Sequence, residues 1–188
     1  MTKDFYIKNM VCNRCIKVLK TEIDAQEIAL EEIELGRVKL DIKDDVELEK
    51  FKKIIEINGF ELINSTEDKI IEQVKIILIT ILDSLPLDLK ENLSIFLAEK
   101  INQDYSKISK VFSARENTTI EKYFIKLKIE KVKELIQSQE KNFTEISQLL
   151  NYSNINHLST QFKSETGMSL SDYKSQQTKL RNPLDQIL

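Results

Sequence analysis

Hydrophobic positions follow two periods in the first third of the chain and a single one afterwards. Phe5 and Ile7 alternate with polar neighbours and lead through Val11 into a loop, which predicts a short strand over 5–8. Ile16, Leu19 and Ile23 then recur at helical spacing, predicting a helix over 13–23. Two short runs, 29–34 and 38–42, are separated by Leu35-Gly36-Arg37, a hairpin turn in which glycine supplies a positive φ. Leu48, Phe51, Ile54 and Ile55 restore the helical period. Asn58-Gly59 closes that helix before a last strand over 60–63. The predicted order is βαββαβ, an open sheet with its helices on one face.

Asn64-Ser65-Thr66-Glu67-Asp68 is polar and rich in capping residues, so it marks a boundary and a helix start. Beyond it the pattern is helical throughout. Ile71, Val74, Leu78, Ile81 and Leu85 keep three-four spacing, the seam of a short coiled coil, until Pro86 stops the helix. Two readings stay open for residues 70–85: a helix packed on its own domains, or a homodimer or coupling helix.

From Leu93 onward the chain repeats itself. Phe112, Asn117, Thr119 and Tyr123 are answered fifty residues later by Phe162, Gly167, Ser169 and Tyr173, and Ile108 is answered by Leu158. The first copy predicts a helix over 93–101, a turn at Asn102, a cap at Asp104 and a second helix over 105–113. The second predicts 143–150, Asn151, Asn154 and 155–164 in the same parts. Each is a helix-turn-helix unit. Between them, residues 119–137 predict one long helix with Tyr123, Phe124, Leu127, Val132, Leu135 and Ile136 inside and Lys122, Lys126, Lys128, Lys131 and Lys133 outside. At 1.5 Å per residue this helix is about 27 Å long, close to the separation of about 34 Å between successive major grooves on one DNA face.

Composition supports the helical bias, with three Gly, two Pro and no Trp in 188 residues. Overall charge is −3, but its distribution is uneven. Residues 1–65 carry 11 basic and 14 acidic side chains, 66–90 carry 3 and 5, and 91–188 carry 14 and 12, so the repeat lies in the basic half. The start shows no basic-then-apolar signal, and the most apolar run, 76–82, is far short of the roughly 20 residues of a membrane span. A soluble cytoplasmic protein is expected. No nucleophile–base pair, phosphate loop or carboxylate pair indicates an enzyme.

Residues 129–136, then Ile146-Ser147, 151–154, 157–163 and 166–173 together resemble the DNA-binding domain of the AraC family of transcriptional regulators, over roughly 91–175. Ser147, Asn117 and Asn151 stand where that family usually has Ala, Gly and Gly. The resemblance implies double-stranded DNA as partner, and RNA polymerase as well if the protein is an activator. By position it implies base contacts from Ser106 and Lys110 in the first unit and from Asn156, His157 and Thr160 in the second. Lys107, Gln161 and Lys163 are then phosphate contacts, which set register without reading sequence.

Cys12 and Cys15 are too few and too close for a secreted disulfide framework, and their spacing suggests metal or redox chemistry. Met10-Val11-Cys12-Asn13-Arg14-Cys15 resembles the loop of heavy-metal-associated domains, over roughly 3–63, and Asn58-Gly59-Phe60 agrees with it. That resemblance implies a soft ion such as Cu(I) on the two thiolates. Reversible thiol oxidation and a structural role stay open beside it.

The expected fold class is therefore α+β: a ferredoxin-like βαββαβ domain followed by an all-α domain with two helix-turn-helix units on a long helix. Expected boundaries are 1–65 for the heavy-metal-associated-like domain, 66–90 for a helical connector, 91–176 for the DNA-binding domain and 177–188 for a tail. The expected function is a transcriptional regulator responsive to a soft metal. A metallochaperone-like carrier or a thiol-redox protein with a helical partner-binding domain is the alternative.

Overall fold

The computed structural model describes residues 1–176 and 181–187. The chain divides into two compact units, Met1–Ile76 and Ile77–Leu188. Part of the expected tail, residues 177–180 and 188, lies outside the described residues.

The first unit is a four-stranded antiparallel sheet with helices. Its elements are β1 (Thr2–Lys8), α1 (Asn13–Ala25), β2 (Ala29–Glu34), β3 (Arg37–Asp41), α2 (Asp45–Ile57), β4 (Glu61–Ile63) and the first turns of α3 (Thr66–Asp83). Strand order is β2-β3-β1-β4. In β1, Ile7 and Phe5 point to the core side, where Val38 and Leu40 of β3 meet Leu19 and Ile23 of α1 and Phe51, Ile54 and Ile55 of α2. Phe5 and Phe51 pack with ring centroids 4.9 Å apart. The helix ends follow local chemistry: Asp44 caps α2 by accepting from the Glu47 amide at 2.9 Å, and Gly59 at φ 74° ends it.

One expectation about this unit needs correction, because helices do not cover a single face. Tyr6 lies between two core-facing neighbours and so faces the other way, where the Lys69 ammonium of α3 sits 3.5 Å from its ring centroid. The same helix brings Glu72 to the loop after β1, where its carboxylate accepts from the Asn9 amide at 3.1 Å. Apolar side chains of α3 give the reason: Ile70, Ile71 and Val74 need cover, and all three are buried. Of the seam predicted over 70–85, Ile71, Val74 and Leu78 are buried within the chain, while Ile81 and Leu85 are half-buried. The helix ends at Asp83, three residues short of Pro86.

The second unit continues from the last turns of α3 into α4 (Leu93–Ile101), α5 (Tyr105–Glu116), α6 (Ile120–Ser138), α7 (Phe143–Leu149), α8 (Ile155–Thr166) and α9 (Leu170–Ser175), with a short 3-10 turn at Leu184–Gln186. Helix α6 is the hub. Ile120, Tyr123, Phe124, Leu127, Ile129, Val132 and Ile136 are all buried along it.

The predicted solvated lysine face of this helix needs correction in part: Lys122 is exposed as expected, but others are not. Lys133 is buried and donates to Glu130, also buried, at 2.6 Å. Lys131 is largely covered and pairs with Asp83 at 3.3 Å and Glu134 at 3.0 Å. Neighbours approach the middle of α6 from most directions, so Glu130, Lys131 and Lys133 there have to be paired and covered instead of solvated. Among the described residues no helix is long and apolar enough to cross a membrane.

Gly36 shows how tightly the first unit is packed. It sits at φ 72°, and a Cβ there would overlap Ile76 Cδ1. Gly59 has a similar φ of 74° with nothing near. Ile76 Cδ1 is the free end of a side chain that can turn aside, so Gly36→Ala and Gly59→Ala are both expected to destabilise by the backbone cost of about 1–2 kcal/mol. Urea denaturation followed by circular dichroism checks this; a loss at Gly36 far above that at Gly59 would show that Ile76 cannot turn aside.

Candidate nucleic-acid interface

The two repeat copies build nearly identical local frames. Helices α5 and α8 have 12 residues each and start fifty residues apart. Asp104 caps α5 by accepting from the Ser106 amide at 2.7 Å, and Asn154 caps α8 by accepting from the His157 amide at 3.0 Å. Both helices run two to three residues beyond the predicted ends. Each closes on a left-handed residue, Asn117 at φ 54° and Gly167 at φ 74°. The turns before them pivot on Asn102 and Asn151, at φ 55° and 54°, a conformation Asn tolerates.

The repeat contains one irregularity. Only Gln103 separates Asn102 from its cap, whereas Tyr152 and Ser153 separate Asn151 from Asn154. Buried positions of the leading helices thus align at an offset of forty-nine, Leu97 with Ile146 and Ile101 with Leu150. In the trailing helices they align at fifty, Ile108 with Leu158 and Phe112 with Phe162.

Inward anchoring determines what each trailing helix exposes. Phe112 packs on Tyr123 with centroids 5.7 Å apart, and Phe162 on Tyr173 at 5.5 Å, the latter edge-on. The Tyr173 hydroxyl in turn accepts from Gln137 at the end of α6, at 2.9 Å. With these faces buried, α5 exposes Ser106, Lys107 and Lys110, while α8 exposes Asn156, His157, Thr160 and Lys163. These seven residues form two surface stripes at equivalent places in the repeat.

Not all of the named side chains are equally available. The Ser106 hydroxyl donates to the Asp104 carboxylate, which together with the Ser106 amide holds that acid below its usual range. Gln161 is half-buried, and its carbonyl oxygen accepts from the Tyr152 hydroxyl at 2.7 Å. His157 Nδ1 lies 3.2 Å from Ser153 Oγ, and its ring meets Tyr152 edge-on at 5.4 Å.

Tyr152, Ser153 and Lys128 support these side chains; sequence reasoning gave the first two no role and set Lys128 on the solvent side of α6, where it is instead half-buried. Lys128 reaches from α6 to place its ammonium 3.8 Å from the Tyr152 ring centroid. Burial pushes its amine down to about 8. The i, i+4 spacing of Ser153 and His157 is the one trace of this cluster legible in sequence.

In the first unit, Cys12 forms the N-cap of α1 and Cys15 lies in its first turn, with sulfur atoms 3.4 Å apart. Burial opposes the Cys12 thiolate, but hydrogen bonds from Cys15 and Arg14 outweigh it and hold the thiol below its ordinary value. Cys15 is pushed up, by burial first and by its neighbour second. Among the described residues no group of three or more His, Cys, Asp and Glu side chains converges. The pair suits an ion satisfied by two soft donors better than zinc, which takes four ligands.

Residues 97–176 match the family model described as a helix-turn-helix domain. No curated protein matches the sequence. Among solved structures, the chain is similar to a transcriptional regulator described as AraC-type DNA-binding domain-containing, from Chromobacterium violaceum. Identity is 14%, covering 61% of this chain and 100% of that one, with a TM-score of 0.51. The C-terminal domain of AraT, a response regulator from Geobacillus stearothermophilus, aligns at 21% identity over 63% of this chain and 98% of that one, with a TM-score of 0.49.

The Lys128 amine offers a direct check on the interior of this unit. Its titration by NMR at the ε-methylene is expected to have a midpoint near 8 instead of the ordinary 10.5. Between those values the unfolded chain holds a proton that the folded chain has released, so this group makes stability rise with pH across the window. A midpoint near 10.5 would show that the ammonium suffers no net desolvation at this site.

Proposed function

We propose that this chain is a sequence-specific, double-stranded-DNA-binding transcriptional regulator of the AraC type, with an input at its N-terminal dithiol. One observation carries the reading. Two capped trailing helices, α5 and α8, expose polar and cationic stripes at equivalent positions of the repeat, each backed by the same buried Phe–Tyr pair. The helix-turn-helix match over 97–176 supports it.

In this reading α5 and α8 enter successive major grooves. Helix α6, 19 residues and about 28 Å long, spaces them at roughly one DNA turn. Lys110 and Ser106 face bases from the first unit, and Asn156, His157 and Thr160 from the second. Lysine suits guanine O6 and N7, and asparagine suits the N6 and N7 edge of adenine. Lys107, Gln161 and Lys163 hold phosphates and set the register. RNA polymerase is a further partner if the output is activation.

The N-terminal unit supplies the input. Its strand order β2-β3-β1-β4 and its βαββαβ chain order support a ferredoxin-like, heavy-metal-associated-like domain. Cys12 and Cys15 would hold a soft ion such as Cu(I), which binds thiolates in preference to oxygen ligands. Cys12, kept below its ordinary pKa, is the readier thiolate.

Selection of genomic DNA fragments by the full chain, with and without Cu(I), tests output and input together. Affinity for a selected duplex is expected to fall steeply with salt, and Lys107→Ala or Lys163→Ala should each reduce the slope of log K against log salt by about one. Asn156→Ala is expected to relax preference at one base pair, at a cost of about 1–3 kcal/mol. Binding that ignores salt, or no enrichment of any fragment, overturns the DNA reading.

For the input, Cu(I) titration is expected to load wild-type protein and to leave a Cys12→Ser/Cys15→Ser variant unloaded. Equal uptake by the two proteins would exclude the dithiol as the metal site.

A further inference from the structure

We infer that Tyr152 is a positioning residue that holds the Gln161 amide by its oxygen and so presents its N–H donors to DNA, an inference that rests on the DNA-binding reading above. The Tyr152 side chain is buried, and its single hydroxyl proton goes to the Gln161 amide oxygen at 2.7 Å. A buried hydroxyl left without an acceptor is costly, so this bond holds the amide in one of its two flip states. With the oxygen engaged, Gln161 offers DNA its two N–H donors.

The consequence is chemical selectivity. Pairing of an amide with adenine needs the oxygen as acceptor for N6 and the nitrogen as donor to N7, and an oxygen turned to a buried hydroxyl is poorly placed for that mode. What fits is an acceptor: a phosphate oxygen, or a base acceptor such as guanine O6 or N7. Tyr152 is itself held on two sides, by the Lys128 ammonium 3.8 Å from its ring centroid and by the His157 ring edge-on at 5.4 Å. The same tyrosine therefore braces two of the residues that face DNA.

The first unit has no counterpart of this clamp. The extra residue in the second turn places Gln103 at the position of Tyr152, and Val111 corresponds to Gln161. The buried Gln103 amide oxygen has no hydrogen-bond partner. The device thus belongs to the second unit alone and makes the two recognition helices chemically unequal.

A double-mutant cycle on the full chain tests the proposal, using one duplex that wild-type protein enriches from a randomised library and one unrelated duplex. Tyr152→Phe keeps the ring and removes the hydroxyl. It is expected to weaken binding about threefold to tenfold when Gln161 is present and not at all in a Gln161→Ala background. Loss on both duplexes identifies a phosphate acceptor, and loss on the enriched duplex alone identifies a base acceptor; either result supports the donor role. In the free protein, the Gln161 side-chain amide resonances are expected to move in Tyr152→Phe.

A Tyr152→Phe loss that persists undiminished in Gln161→Ala overturns the proposal alone, since Tyr152 would then act only through packing. Unmoved Gln161 amide resonances overturn it as well. If wild-type protein enriches no duplex, the DNA reading and this proposal fall together.

Discussion

Burial of α6 on most of its circumference is the constraint on which the C-terminal unit depends. A helix that is apolar on one stripe can lie on a surface; one that buries Tyr123, Phe124, Leu127, Ile129, Val132 and Ile136 has to be enclosed. Each such side chain contributes about 1.5–3 kcal/mol on leaving water, so few alternative placements compete. The enclosing elements are the two helix pairs, and their trailing helices are tied down through Phe112 on Tyr123 and Phe162 on Tyr173. The exposed stripes of α5 and α8 are what this anchoring leaves over. Enclosure also explains why Glu130 and Lys133, three residues apart on α6, are found as a buried pair: a charge taken from water there needs a partner.

The two units use short polar residues in similar ways at their element ends. Asp44, Asp104, Thr119, Asn142, Asn154 and Ser169 each accept a backbone amide at the start of a helix, and glycine or asparagine in the left-handed region ends several of them. Such signals are local, and for that reason the helix starts of the repeat were legible almost to the residue, while α5 and α8 run on two to three residues past their predicted ends. The single residue inserted before Asn154 is the exception that matters most. It leaves the trailing helices in register at fifty while moving the leading ones to forty-nine, and it brings Tyr152 beside α8, where a strict copy would have had another residue.

The cysteine loop shows the same division at smaller scale. Its spacing at a helix start predicts two thiols close together, and Cys12 and Cys15 lie with sulfurs 3.4 Å apart. Their inequality was not readable from spacing. It comes from which backbone and side-chain groups each sulfur meets, together with how deeply each is covered. The carboxylate of Glu72 on the Asn9 amide, just before the loop, joins residues far apart in sequence and left no periodic trace.

By itself, then, the sequence determined the order of elements, the caps, the fifty-residue repeat and the faces of α5 and α8. All of these follow from interactions within a few residues or from a hydrophobic period. Tertiary structure alone decided that α3 reaches the outer face of the sheet at Tyr6, that Lys131 and Lys133 of α6 are covered and paired, and that Lys128, Tyr152 and Gln161 form one cluster. The reason is the same in each case. A lysine reads as solvent-facing until packing removes its water, and an amide reads as both donor and acceptor until a buried hydroxyl takes its oxygen.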